Sequence, residues 1–545
     1  MKIRELTRMK LYSFLVFASL FFGAAPHPGR AATPQTSYPV FGILGTDPAL
    51  PGRQIDLQGR ETFEPIQQYK IIYMHEAPTL GAVRNAKIKY GFDTKVIVYM
   101  GGFTTNPGGA TRIEQGYRRA VAMIDVTTLA ATVDAQATEI MLRVPAAGEF
   151  PVLASTAALS DPKDSKRFCF WIRVDDELMQ VVEVDGKTGR LKVVRGFESQ
   201  AAAHKEGATV FTPVYVGNRN ELGALRHSNS WPAGPDYLRY GLDPASDDAQ
   251  RFKAGYIIEW MRSGYDGAWL DTFEPELFNI CDALGRKVSA VWDFQGGRRH
   301  TLDSYVGALQ QMVRALRKKV KEATGREPYI AANSVCKSYS KGGKLLFASP
   351  DRPGLLDGYC FEDAYLQPGG ATRAFRPISA EKWIEKVTDQ RDAAKTGLRA
   401  LCMIGPAGGV AAYLNPSLTN YDSLVRFSWC SFLLTVTRER TTYFGMPLLI
   451  TKLEGKPGFL PLAPIFYYPI GDPIDNGDLA SFKQSGSGVY QRKFSNGLVL
   501  VAPPKLEQAA TVAIPAGYHD PKTKAEVRQV TLNGGEGALL LKQLE

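Results

Sequence analysis

Apolar, largely β-branched runs of strand length recur from Tyr69 onward, and most lead into a stretch with the period of an amphipathic helix. That alternation is how parallel strands joined by crossover helices read in one dimension, and it constrains the fold more than any other feature of the 545 residues. Strand starts fall at Tyr69, Lys95, Tyr237, Ala268, Tyr329, Leu355, Leu398 and Thr441, and helical periods cover about 111–137, 247–262, 302–323, 380–395 and 421–436. Eight is the number of strands that closes a (β/α)8 TIM barrel, so an α/β fold of that type is expected.

Two stretches break the pattern. Short strands at 168–174, 178–184, 190–194 and 208–214 alternate with turn pairs such as Asp185-Gly186 and Glu206-Gly207, which describes a small all-β module inserted in the barrel; His204 falls in one of its turns, a surface position. Beyond Leu453 strands and turns return, and the Asn496-Gly497 pair between Tyr490-Gln-Arg-Lys-Phe494 and Leu498-Val-Leu-Val501 is a strong hairpin signal. The division expected is a signal peptide over 1–32, a barrel over 33–138 and 216–449, the inserted module over 139–215, and a C-terminal β-sandwich over 450–545. Residues 33–68, rich in Pro and Gly, are expected to run irregularly over the barrel.

The leader carries Lys2, Arg4, Arg8 and Lys10, then an apolar run over 11–22, then Gly23, Ala24 and Ala25, the layout of a secretory signal. A secreted or periplasmic protein is expected, with no integral membrane segment after the leader is removed. Its removal takes the formal charge from +10 to +6. The densest basic cluster, Arg314 with Arg317-Lys318-Lys319 and Lys321, lies on a helical period and reads as a solvated face, so no nucleic-acid partner is expected. Six scattered cysteines without a CxxC pair exclude a zinc knuckle, and six histidines leave little for a metal centre, so neither cofactor nor metal is expected. Cys336 and Cys360, on neighbouring strands, are either a disulfide or two buried thiols.

The chemistry concentrates in Gly264-Tyr-Asp-Gly-Ala-Trp-Leu-Asp-Thr-Phe-Glu-Pro-Glu276. Asp271 ends the fourth predicted strand, and Glu362 follows the sixth, with Asp363 beside it. The C-terminal ends of barrel strands form the active-site face, and alternate strands lie close enough for two carboxylates to flank one bond, the arrangement that glycoside hydrolysis requires. Asp271 is the candidate nucleophile or base and Glu362 the candidate acid. Trp269, Glu274, Asn333, Asp363, Glu76 and Tyr365 are candidate substrate-binding residues, the rings for stacking on sugar faces and the polar groups for hydroxyls. A nucleophile elbow, an H-E-x-x-H helix, a Walker loop and a strand-borne G-x-G-x-x-G are all absent from the sequence.

The run Gly264-Tyr-Asp-Gly-Ala-Trp-Leu-Asp271 resembles the G-[YF]-D-G-x-x-x-D strand of barrel glycoside hydrolases, in particular the largely uncharacterised glycosyl-hydrolase-like families and the related endo-α-1,4-polygalactosaminidases. Leu356-Asp-Gly-Tyr-Cys-Phe-Glu362 looks like their second acidic strand, and Tyr490 to Val501 is similar to the β-domain strand that follows the barrel in them. The likeness spans roughly residues 65 to 505, with the inserted module outside it, and extends more faintly to retaining α-galactosidases. It implies a fourth-strand Asp and a sixth-strand Glu as catalysts acting on a carbohydrate. A non-catalytic carbohydrate-binding barrel and a polysaccharide lyase are the alternative readings.

Overall fold

The computed structural model describes residues 36–46, 57, 59–74, 78–101, 113, 116–143, 171–185, 188–213, 215–216, 239–271, 273, 291–333, 355–362, 364–368, 375–397, 399–404, 420–453 and 456–543. The expected signal peptide lies outside them. Eight parallel strands follow one another around a closed ring: β1 (Val40–Thr46), β2 (Tyr69–Met74), β3 (Lys95–Gly101), β4 (Gly267–Asp271), β5 (Tyr329–Ala332), β6 (Gly358–Phe361), β7 (Ala400–Met403) and β8 (Tyr443–Leu453), with β8 paired back to β1. Around them lie α1 (Pro78–Tyr90), α2 (Asp247–Arg262), α3 (Leu302–Thr324), α4 (Ala380–Lys395) and α5 (Tyr421–Leu433). No helix among the described residues is long and apolar enough to cross a membrane.

Two strand expectations are corrected, and they cancel. The strand placed at Tyr237 is only Arg239–Tyr240, antiparallel to Tyr215–Val216 and outside the ring. The missing stave is β1, inside the segment expected to be irregular. Its glycines argue against a strand in the sequence, yet a Cβ at Gly42 would lie 2.8 Å from the Tyr69 ring and 3.3 Å from Leu448, so the close approach of β2 and β8 demands one there. Asp271 therefore still ends the fourth strand and Glu362 still follows the sixth.

The interior is solid. Phe41, Tyr73 and Trp269 stack across it, the last two with ring centroids 3.8 Å apart and planes 2° from parallel. Cys360 and Cys402 are buried on β6 and β7; Cys360 is a thiol, not half of a disulfide, and Cys336 lies outside the described residues. Arg317 is likewise not part of a solvated face: it turns inward to Asp357 at 2.7 Å and to the Leu355 carbonyl at 3.0 Å.

The inserted module is a six-stranded antiparallel sheet, ordered Met123–Thr128, Thr209–Pro213, Trp171–Val174, Glu177–Asp185, Arg190–Val194, Glu139–Met141. Its first strand corrects the helix expected over 111–137. Val121 to Thr128 is β-branched in part and finds a partner strand at Thr209–Pro213, which outweighs a helical period. Trp171, Leu178 and Phe211 pack with Ala249 and Phe252 of α2 and with Trp292 and Phe294 of the hairpin that follows β4. Arg299 of that hairpin meets both oxygens of Asp125, at 2.9 and 2.8 Å, so the module is fastened to the hairpin that follows β4.

His204 is buried, contrary to the surface position expected, with Asp175 at 2.8 Å from one ring nitrogen and Glu177 at 2.9 Å from the other. Burial alone would raise the Glu177 carboxyl, but hydrogen bonds from Arg195, the Ala202 and Gly196 amides and His204 more than reverse this, holding it at about 2 against an ordinary 4.5. A carboxyl lowered on folding stabilises the fold above its unfolded value and ceases to do so as pH falls through its folded one. The melting-temperature gap between wild type and Glu177→Gln is therefore expected to be widest near neutrality and to close as pH falls from about 4.5 to about 2. A gap that stays constant across that range contradicts the assignment.

The C-terminal region forms a three-stranded antiparallel sheet (Tyr490–Lys493, Gly497–Val501, Gly537–Leu541) and a two-stranded one (Ala510–Ala513, Gln529–Leu532). Arg492 leaves the first of these for the C-terminal end of α5, where it donates to the carbonyls of Leu433 at 2.8 Å, Leu434 at 3.2 Å and Val436 at 2.8 Å, and to that of Asp475 at 2.9 Å. Burial, then Arg391, push its proton affinity down to about 9. What offsets that cost is the set of carbonyls a helix end leaves without partners. Arg492→Met takes the side-chain donor from the Leu433 and Asp475 carbonyls and leaves those of Leu434 and Val436 to Arg391 alone, at 3.0 and 3.5 Å, and is expected to cost about 3 kcal/mol in denaturant unfolding.

Candidate active site

The site is assembled by the same device on β4 and β6. At the N-terminal end of β4, Asp266 Oδ2 accepts from the Val96 amide of β3 at 2.8 Å and from Lys87, while its backbone carbonyl accepts from the Tyr329 amide of β5 at 2.8 Å. At the corresponding end of β6, Asp357 Oδ2 accepts from the Ile330 amide of β5 and from Arg317, each at 2.7 Å. A glycine follows in both cases because the neighbouring strand is too close for a side chain: a Cβ on Gly267 would stand 1.9 Å from the Tyr329 carbonyl oxygen, and one on Gly358 2.8 Å from Leu401. These Asp-Gly pairs anchor the floor. Asp266-Gly-Ala-Trp-Leu-Asp271 and Asp357-Gly-Tyr-Cys-Phe-Glu362 have equal spacing, so two strands pinned at one level deliver their second acids to one level at the other end, about 16 Å away.

Between those acids stands Asn333, just past β5 and 3% exposed. Its backbone amide donates to the Leu270 carbonyl at 2.7 Å and its own carbonyl accepts from Phe273 at 3.1 Å, which fixes it against β4. Its side-chain Nδ2 donates to Asp271 Oδ1 at 2.7 Å and to Glu362 Oε2 at 3.0 Å. One NH2 group bonded to both carboxylates keeps the two accepting oxygens within about 5.7 Å of each other, which brings the acids close enough to flank one bond. Tyr99, near the end of β3, donates its hydroxyl to Asp271 Oδ2, so each oxygen of Asp271 has a donor. Tyr73 lies beneath with its phenol raised well above the ordinary value, chiefly by burial and then by Cys360, Glu362, Asp271 and Tyr99.

Asp271, Glu362 and Asn333 thus come together. Trp269 does not join them at the mouth. It faces the same side of β4 as Asp271 but two residues deeper, and is fully buried in the stack with Tyr73. Tyr365 is also fully buried, donating to Gln390 Oε1 of α4 at 2.6 Å, and offers no ring for stacking. Glu76, Glu274 and Asp363 lie outside the described residues. Tyr99 is the residue that inspection of the sequence missed; its register against Asp271 follows from the pairing of β3 with β4, which a single sequence does not disclose. Among the described residues no group of His, Cys, Asp and Glu could hold a metal ion.

No family model matches the chain, and no curated protein does. Among solved structures, the glycoside hydrolase domain of PelA from Pseudomonas aeruginosa is 9% identical over 75% of this chain and 94% of its own, at a TM-score of 0.31. A GH27 β-L-arabinopyranosidase from Geobacillus stearothermophilus is 10% identical over 58% and 66%, at 0.29. The GH31 dextranase FjDex31A of Flavobacterium johnsoniae, complexed with glucose, is 9% identical over 93% and 52%, at 0.39. Likeness at this level assigns neither substrate nor catalytic residues. In fold, the chain is similar, distantly, to these barrel glycoside hydrolases.

Proposed function

We propose that this chain is an exported glycoside hydrolase of the retaining type, with Asp271 as nucleophile and Glu362 as general acid and then base. The observation that carries the reading is the Asn333 amide shared by the two carboxylates. Asp271, with a donor on each oxygen, is held in one orientation for attack on the anomeric carbon. Glu362, one methylene longer, reaches across to protonate the departing oxygen and afterwards takes the proton from the water that releases the sugar. The Asn333 amide bonded to both acids supports the closer, retaining spacing.

The test is a panel of oligosaccharides and polysaccharides followed by proton NMR of the freshly released anomer. Release of reducing ends with the anomeric configuration of the substrate preserved is expected. An inverted first product removes the nucleophile role, and sugars that bind without being cut favour a binding protein instead.

A further inference from the structure

Two lysines outside the pair of acids stand in matching places. Lys386 of α4, the helix that follows β6, donates from Nζ to the backbone carbonyl of Glu362 at 2.7 Å. Lys253 of α2, the last helix between β3 and β4 in the chain, donates to the backbone carbonyl of Gly101, and Gly101 is the register partner of Asp271. Lys253 is completely buried. In each case a cation from the outer ring of helices reaches the carbonyl at a strand's C-terminal end beside one of the two acids. A buried ammonium is costly and is kept where its charge has a use.

We propose that Lys253 and Lys386 are positioning residues: each ammonium pins the strand end that presents a carboxylate and places a positive charge behind it, so that two acids can stand within one hydrogen-bonding amide of each other. The assignment of chemistry to Asp271 and Glu362 is the one made above; the role of the lysines is additional to it. Two anions this close repel, and at these partly buried positions the repulsion is screened less than in open water. Among the described residues, the groups facing Glu362 include Asp271 from β4, Asn333 from β5, Tyr73 from β2, Cys360 below it on β6 and Lys386 from α4.

The decisive measurement follows the carboxyl carbon of Glu362 by NMR in 13C-labelled full-length protein, assigned by its loss in Glu362→Gln, and needs no substrate. In Lys386→Met the titration midpoint is expected to move to higher pH by about half a unit to one unit, because the proton leaves less readily without the cation, and Lys386→Arg is expected to restore it. The basic limb of the kcat/KM profile moves with it, while kcat falls about tenfold and KM stays within about twofold. Lys253→Met, isosteric and apolar, is expected to move the Asp271 midpoint in the same direction. A midpoint unchanged in both Met variants, with only the melting temperature lowered, overturns the proposal and leaves the lysines as packing. Absence of glycosidase activity in the wild type counts against the hydrolase reading alone, since the titration is decided without turnover.

Discussion

Asp271→Asn leaves a folded protein whose turnover falls by about ten-thousand-fold or more. The substitution keeps shape and volume. Its carbonyl can still accept from Asn333 or Tyr99, so the network loses charge more than geometry, and the melting temperature is expected to fall by only a few degrees. On the proposed mechanism, what is lost is the anion that attacks. An amide cannot form the glycosyl ester, and the remaining groups hold substrate without a partner for the anomeric carbon. Single-turnover kinetics beside far-ultraviolet circular dichroism separate the two effects. Activity within tenfold of wild type, in a variant that folds, would end the case for Asp271 as nucleophile.

The largest structural effect is expected from a methyl group. Gly267 has φ +154°, and a Cβ there would meet the Tyr329 carbonyl oxygen at 1.9 Å and its backbone carbon and nitrogen at 2.7 Å. None of these atoms can swing aside, because they belong to the next stave of the ring. Gly267→Ala is expected to cost about 4 kcal/mol or more, or to give no soluble protein. Gly255→Ala provides the contrast: it lies within α2 with nothing near the position of its Cβ, and is expected to gain about 0.5–1 kcal/mol. Equal effects from the two, measured by urea unfolding, would show that the clash at Gly267 relaxes and that β4 and β5 need not approach so closely.

These two positions also show how far the chain can be read without coordinates. The alternation of strand and helix periods was enough for the barrel, because burial on both sides leaves parallel strands as plain apolar runs. β1 escaped notice because Gly42 interrupts such a run for the sake of its neighbours, Tyr69 and Leu448, which lie far away in sequence. Asp271 and Glu362 were legible as acids ending strands. The equal spacing from Asp266 to Asp271 and from Asp357 to Glu362 was equally open to inspection, and is the stronger signal, since it says that the two acids rise to one height. Trp269 and Tyr365 were misplaced because a period of two tells which side of a strand a ring occupies and nothing of its depth. Tyr99 and the lysines depend on which strand lies beside which and at what offset, information that resides in pairings rather than in any stretch of chain.

The stacked rings of Phe41, Tyr73 and Trp269 stand across the axis of the cylinder. On the hydrolase reading, substrate and product would both use the face at which the strands end, so fragments would compete with fresh chains for it and turnover would slow as product accumulates.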